Sequence, residues 1–209
     1  IDESNETVSL TLTGATNATL GFFGTSATLT ITDDDPAPTL SFASSGFSVS
    51  ESSSPATITA VLSNPSSQAI TATYLTAAGT AQVSVDYTAS ASGSLTFAPG
   101  QTLQSFLVTI LDDSLDENNE TVSLSLNVIM GATLGSPSSA TLTIIDDDPQ
   151  PAAASTTTGY SVSESGTWAT VGVSLSAPSA LPITVGYQTS GGTAQAGSVY
   201  TGATGWLAF

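Results

Sequence analysis

The chain has 209 residues with 17 acids and no Lys, Arg or His, so its formal charge of −17 faces no side-chain cation. Without bases it lacks the groups that neutralise nucleic-acid phosphates, dock on anionic lipid or clamp a transferring phosphoryl group. Without His or Cys it has no Ser-His-Asp triad, no thiolate nucleophile and no usual zinc site, and no apolar run is long enough to cross a bilayer.

Residues 1–36 carry Asp2-Glu3-Ser4-Asn5-Glu6-Thr7-Val8-Ser9-Leu10 after Ile1 and end on Asp33-Asp34-Asp35-Pro36. A short linker, Pro36-Ala37-Pro38, leads into residues 37–149. There Thr39–Val49, broken near Ser44, predicts a first strand in two pieces. In the next run Ile58, Ala60 and Leu62 alternate with Thr57, Thr59 and Val61. Further strands are expected over Ile70–Tyr74, Ser94–Phe97 and Gln104–Leu111. The last two are marked by Val122, Leu124 and Leu126 and by Leu142 and Ile144, each set alternating with Ser or Thr. Asn64-Pro65, Ala78-Gly79 and Pro99-Gly100 supply turns between them. Period-two alternation of β-branched residues at this spacing predicts an all-β chain of tandem immunoglobulin-like antiparallel β-sandwiches, about seven strands each.

The landmarks recur. Asp33-Asp34-Asp35-Pro36 returns 113 residues later as Asp146-Asp147-Asp148-Pro149, and the FSVSE ending at Glu51 returns at the same offset as the YSVSE ending at Glu164. Gly79-Thr80-Ala81 and Gly192-Thr193-Ala194 keep that offset, while the DESNETVSL from Asp2 and the DENNETVSL from Asp116 differ by 114. A period of this length is a domain rather than a solenoid unit. The expected layout is the C-terminal part of one repeat at 1–36, a complete repeat at 37–149 and the N-terminal part of a further repeat at 150–209. Proline-bearing linkers are expected to hold them extended. With no cysteine, stability must come from core, metal or neighbouring repeats.

The complete repeat concentrates its ten acids at strand ends and loops: Glu51, Asp86, Asp112, Asp113, Asp116, Glu117, Glu120, Asp146, Asp147 and Asp148. Two carboxylates 4 Å apart repel by about 1 kcal/mol even in bulk water. A gathered set must therefore bind cations or retain protons. An all-oxygen, carboxylate-rich set suits Ca²⁺, Mg²⁺ or Mn²⁺ rather than zinc or copper. The run Asp112–Glu120 lacks the glycine and spacing of an EF-hand loop.

These motifs together resemble the Calx-beta family: FSVSE at Glu51, Gly79-Thr80-Ala81, Asp86-Tyr87, the LTFAPG of Leu95–Gly100, Asp112-Asp113 with Glu117 and Glu120, and the closing Asp146-Asp147-Asp148. The resemblance implies a seven-stranded sandwich with several Ca²⁺ ions per complete repeat, clustered at one end. It implies as ligands Glu51, Asp86, Asp112, Asp113, Glu117, Glu120, Asp146, Asp147 and Asp148, with the backbone carbonyl of Leu115. Asp116 is left without a ligand role and is expected to face water. In the flanking repeats the matching positions are Glu3, Glu6, Asp33, Asp34 and Asp35, and then Glu164; Val199 stands where the complete repeat has Asp86.

The expected function is structural or adhesive, not enzymatic: a repeat segment of a large extracellular protein or filament on a bacterial cell surface, with calcium stiffening the joints. Its expected partners are the neighbouring repeats of the same chain, other copies in a filament, or a cell-surface ligand, with no nucleic acid and no direct membrane insertion. The alternatives are a calcium-sensing regulatory domain pair, as in the sodium–calcium exchangers of the same family, and the non-catalytic module of a secreted enzyme.

Overall fold

A computed structural model describes residues 1–88 and 92–209. In chain order its strands are β1 (Glu6–Thr11), β2 (Ser26–Ile31), β3 (Thr39–Phe42), β4 (Gly46–Ser50), β5 (Ala56–Leu62), β6 (Ile70–Ala78), β7 (Gly93–Phe97) and β8 (Leu103–Val108). Then come β9 (Glu120–Met130), β10 (Thr133–Leu134), β11 (Ser139–Ile145), β12 (Ala153–Ser155), β13 (Val173–Leu175), β14 (Thr184–Gln188) and β15 (Thr204–Ala208).

Between Thr39 and Ile145 the strands form two sheets, ordered β10-β3-β5-β8 and β4-β11-β9-β6-β7. The alternation decides which side chains go inward, because successive strand residues point to opposite faces. On β5, Ala56, Ile58, Ala60 and Leu62 are buried, while Thr57 is exposed. Val122, Leu124 and Leu126 of β9 and Ala140, Leu142 and Ile144 of β11 come from the other sheet into the same core, which also takes Leu40, Phe42, Phe97, Phe106 and Val108. Stacking of Tyr74 on Phe106, with ring centroids 3.7 Å apart, ties the two sheets at one edge.

The break near Ser44 moves the chain between sheets. β3 runs antiparallel to β5. After Ala43-Ser44-Ser45 the chain continues as β4, parallel to β11 with Gly46 opposite Thr141 and Ser50 opposite Ile145. The first and last strands of the sandwich therefore run side by side toward one end. Strand β6 continues to Ala78, beyond the expected Tyr74, because β9 pairs with it from Thr71 through Ala78. β8 ends at Val108 rather than Leu111, where Ile110 turns to bridge Tyr87.

The flanking segments repeat the pairings. Glu6 faces Ile31 in β1–β2 as Glu120 faces Ile144 in β9–β11. Ala153 faces Leu175 in β12–β13 as Leu40 faces Leu62 in β3–β5. β14 pairs with β15 as β6 pairs with β7, with Tyr187 opposite Gly205 and Tyr74 opposite Gly93. Glycine is required at position 93: a Cβ there would lie 2.2 Å from the Tyr74 ring. Among the described residues no second sheet covers these flanking pairs, and Val8, Leu10, Leu29 and Tyr187 are exposed where their counterparts Val122, Leu124, Leu142 and Tyr74 pack inward.

Candidate metal centre

The parallel β4–β11 pair places acids at its end by register alone. Glu51 follows Ser50, and Asp146, Asp147 and Asp148 follow Ile145; the amide of Glu51 donates to the Ile145 carbonyl at 3.0 Å. The loop after β8 carries Asp112, Asp113 and Glu117 to the same end, and Glu120 opens β9. Asp86 comes from the turn at residues 82–87, held to that loop where the Leu111 amide donates to the Asp86 carbonyl at 2.9 Å. Four separate chain segments thus meet.

The carboxylates fall into two overlapping groups and one separate group. Glu51 joins Asp113 and Asp148, and again joins Asp112 and Asp147; Asp86 joins Glu117 and Glu120. In each, one oxygen per residue lies within 4.8 Å of the others. Glu51 and Asp86 are buried, and each is only 8% exposed. Asp146 lies close enough to Glu51, Glu117 and Asp148 for its charge to act on all three.

The electrostatics show what this arrangement costs the bare protein. Burial, then the charges of Asp146, Asp113, Asp148 and Asp147, push Glu51 up to about 7. Burial and a hydrogen bond with Asp86 push Glu120 up to about 8. Burial and neighbouring acids also raise Glu117 and Asp148. Asp147 moves the other way, because the hydroxyls of Ser50 and Ser52 donate to its Oδ2 and favour the charged form.

Three buried carboxylate oxygens have no hydrogen-bond partner: Glu51 Oε1, Asp146 Oδ1 and Asp148 Oδ2. A buried polar atom left unpaired is costly, and native proteins almost always satisfy such atoms. No Lys, Arg or His exists anywhere in the chain to pair with them. A cation coordinated by oxygen would satisfy all three, and carboxylates on adaptable loops match the six to eight oxygen ligands that Ca²⁺ takes. The residues present therefore fit a hard divalent ion.

Other predicted positions fall differently. Leu115 lies half-buried in the same loop, its amide donating to Asp113 Oδ1 at 2.8 Å. Asp33 Oδ2 accepts from the Glu3 amide at 3.2 Å and Asp33 Oδ1 from the Asp35 amide at 3.3 Å; the chain's α-amino group also donates to Asp35. Among the described residues Glu3, Glu6, Asp33, Asp34 and Asp35 form no three-acid group, and neither does Glu164, which is exposed. The expectation that Asp116 faces water is corrected. It is only 6% exposed, and its carboxylate accepts a hydrogen bond from Ser179 Oγ at 2.7 Å.

Sequence reasoning also missed a set of neutral braces. Besides Ser50 and Ser52, Asn119 Oδ1 accepts from the Asp146 amide at 3.1 Å, just as Asn5 Oδ1 accepts from the Asp33 amide at 2.9 Å. The signal was the asparagine preceding the last glutamate of both motifs, Asn5-Glu6 and Asn119-Glu120.

The model of the Calx-beta domain matches residues 33–148 and again 153–209. Among solved structures, the apo-form Calx CBD1 domain is similar at 29% identity and a TM-score of 0.51, over 54% of this chain and 100% of that one. CBD12 from CALX1.2 is similar at 28% identity, over 81% of this chain and 68% of that one, also with a TM-score of 0.51. The calcium binding domain CBD12 of CALX1.1 matches at 27% identity, over 81% and 69%, with the same TM-score. No curated protein matches the chain.

Proposed function

Because the chain belongs to the Calx-beta domain family, we propose that it is a calcium-binding structural and adhesive repeat segment of a large extracellular surface protein or filament, in which calcium stiffens the joints between repeats. The observation that carries this reading is the convergence of Glu51, Asp86, Asp112, Asp113, Glu117, Glu120, Asp147 and Asp148 at one end of a sandwich whose chain contains no base. Glu51, Asp112, Asp113, Asp147 and Asp148 would hold ions in the two overlapping groups. Asp86, Glu117 and Glu120 would hold another, and Asp146 and the Leu115 carbonyl would complete the shells.

Bound calcium supplies positive charge and coordination, and no bond-making chemistry. The protein's own contribution is to bring the acids together on paired strands and to brace them with Ser50, Ser52 and Asn119. The closing triplet runs directly into Pro149-Gln150-Pro151, so ions held through Asp147 in one group and Asp148 in the other would restrain the first residues of the linker. We assign the chain no catalytic step.

The test is calorimetry and native mass spectrometry of the full chain. Uptake of more than one calcium ion, with magnesium a poor substitute, is expected, because Mg²⁺ demands tighter octahedral geometry and gives up water reluctantly. No uptake at millimolar calcium, or equal uptake of both ions, overturns the reading. The similarity to the calcium binding domain CBD12 of CALX1.1, over 81% of this chain, favours a second reading, a calcium-sensing regulatory pair. It gains if calcium rotates one repeat on the next instead of only restraining it.

A further inference from the structure

Asp116 sits between cluster acids in sequence yet belongs to no three-acid group. Its carboxylate Oδ2 accepts from Ser179 Oγ at 2.7 Å, its carbonyl accepts from the Ala180 amide at 3.0 Å, and a parallel bridge joins Asp116 to Ser179. Ser179 belongs to the segment after the linker. Its hydroxyl accepts from the Leu181 amide at 3.0 Å and also lies 3.1 Å from the Asp116 carbonyl, so the carboxylate at 2.7 Å is the nearer of two Asp116 acceptors.

The same joint occurs one repeat earlier. Asp2 Oδ2 accepts from Ser66 Oγ at 2.6 Å, the Asp2 carbonyl accepts from the Ser67 amide at 2.8 Å, a parallel bridge joins Asp2 to Ser66, and Ser66 Oγ accepts from the Gln68 amide at 3.2 Å. Asp2 and Asp116 are equivalent by the 114-residue offset, and Ser66 and Ser179 by the 113-residue offset. Two independent copies of the joint therefore use the same atoms. In both copies the latch aspartate belongs to no three-acid group among the described residues, so its carboxylate is free to serve the joint.

Around this shared core the two joints differ. At the first, Asn64 Nδ2 donates to the Pro36 carbonyl at 2.9 Å and Gln68 Nε2 donates to Ser4 Oγ at 2.8 Å. At the second, Ala177 and Leu181 occupy those positions and neither bond is possible. An open cleft lined by Asp116, Gln150, Pro151, Leu181 and Ile183 lies there instead. The aspartate–serine pair is what the two joints have in common.

We propose that Asp116 with Ser179, and Asp2 with Ser66, form an interface latch that sets the orientation of each repeat on the next independently of metal. The surface is the first aspartate of the Asp-Glu-x-Asn-Glu loop. Its partner is the Pro-Ser turn of the following repeat, Pro65-Ser66 or Pro178-Ser179. The proposal goes beyond calcium binding: the latch carboxylate is not a ligand, and ions only restrain fluctuation about an orientation the latch has already chosen.

The chain has no cysteine, so Leu107→Cys on β8 and Gln188→Cys on β14, both at exposed positions, take spin labels specifically. Pulsed dipolar distances in the full chain are expected to show one distribution, centred alike in chelator and in calcium and narrower in calcium. Asp116→Ala and Ser179→Ala are each expected to abolish it, and Asp116→Asn, which keeps the acceptor oxygen, to retain it. Calcium stoichiometry should be unchanged in all three. Ser179→Ala lies outside the acidic loop and keeps the test open if Asp116→Ala disturbs that loop. An unchanged distribution in both alanine variants overturns the latch, as does a lower calcium stoichiometry in Asp116→Asn or a centre that moves when calcium is added. If the parent chain takes up no calcium, the calcium reading fails while the distances in chelator still decide the latch.

Discussion

In residues 82–87 the Asp86 amide donates to the Gln82 carbonyl at 3.0 Å, and the Ser84 amide donates to the Tyr87 carbonyl at 2.9 Å. In residues 195–200 the Val199 amide donates to Gln195 at 3.0 Å and the Gly197 amide to Tyr200 at 2.8 Å. The backbone of the turn is the same, down to a parallel bridge in each. Yet one turn carries a buried carboxylate aimed at Glu117 and Glu120, and the other an apolar side chain that is 62% exposed. The difference teaches that the turn is held by main-chain bonds that ignore the side chain before the tyrosine. A repeat can therefore gain or lose an ion ligand without altering its fold. Asp86 adds one bond of its own, accepting from the Gln82 amide at 2.6 Å, which Val199 cannot make.

The largest effect should come from removing the ions that make the two turns unequal. In the full chain, calcium at a thousand times its dissociation constant stabilises the sandwich by about 4 kcal/mol. For a domain of this size each kcal/mol is worth about 4–8 °C. Scanning calorimetry should therefore show the melting of β3–β11 fall by about 15 °C or more when calcium is replaced by a chelator. An unchanged transition would make the two turns equivalent and the acids mere surface charge.

Next, Asp86→Val makes the complete repeat's turn read like the other. Calcium affinity of the Asp86–Glu117–Glu120 group should fall about tenfold or more, a loss of about 1.4 kcal/mol or greater. Ions held through Glu51, Asp113 and Asp148 should remain. Titration calorimetry resolves the two classes, and loss of all binding would show that the groups form one site.

A smaller effect follows from protons. Glu51 and Glu120 hold protons in the folded chain up to about 7 and about 8, whereas in the unfolded chain glutamates release them near 4.3. The folded state thus binds more protons across that interval. In chelator its stability should be greatest at the acidic end and decline as pH rises toward about 8. Calcium affinity should climb over the same range as ions replace protons. Asp147, with its acidity strengthened, works in the opposite sense only at more acidic pH, below the ordinary aspartate value. Chemical denaturation in chelator at several pH values reads the slope, and a rising stability between pH about 5 and about 8 contradicts the assignment.

The smallest effect concerns Ser84, which has a positive φ of 68° where the second turn has Gly197 at 86°. Left-handed backbone costs a non-glycine residue about 1 kcal/mol or more, so Ser84→Gly should raise stability slightly, by less than about 1 kcal/mol once the glycine's extra unfolded-state entropy is counted. Calcium binding should not change. A loss of stability would mean that the serine side chain does something that the glycine turn does not need.

Most of this architecture was legible beforehand because it follows from alternation and recurrence. The Ile58–Leu62 and Val122–Leu126 patterns gave strands with the correct inward face, and the break near Ser44 marked the change of sheet. The acids that gather were readable because charge without counter-charge is conspicuous at strand ends. Asp116 was misread because its chemistry depends on Ser179, 63 residues away and across a linker. No local pattern reports such a contact, although the recurring Pro-Ser at 65–66 and 178–179 was available.

The parallel pairing of β4 with β11 has a mechanical meaning. Tension entering the sandwich at Thr39 and leaving at Asp146 pulls β4 backward from its start and β11 forward from its end. Two parallel strands loaded in that way slide past one another, so their evenly spaced hydrogen bonds share the force and must fail together. They do not open one after another like a zipper. Glu51 and Asp148, gathered within one acidic group, sit at the end of this same strand pair. An ion between them would act as a rivet across the sliding plane, and resistance to stretching would then be set by how quickly the rivet lets go.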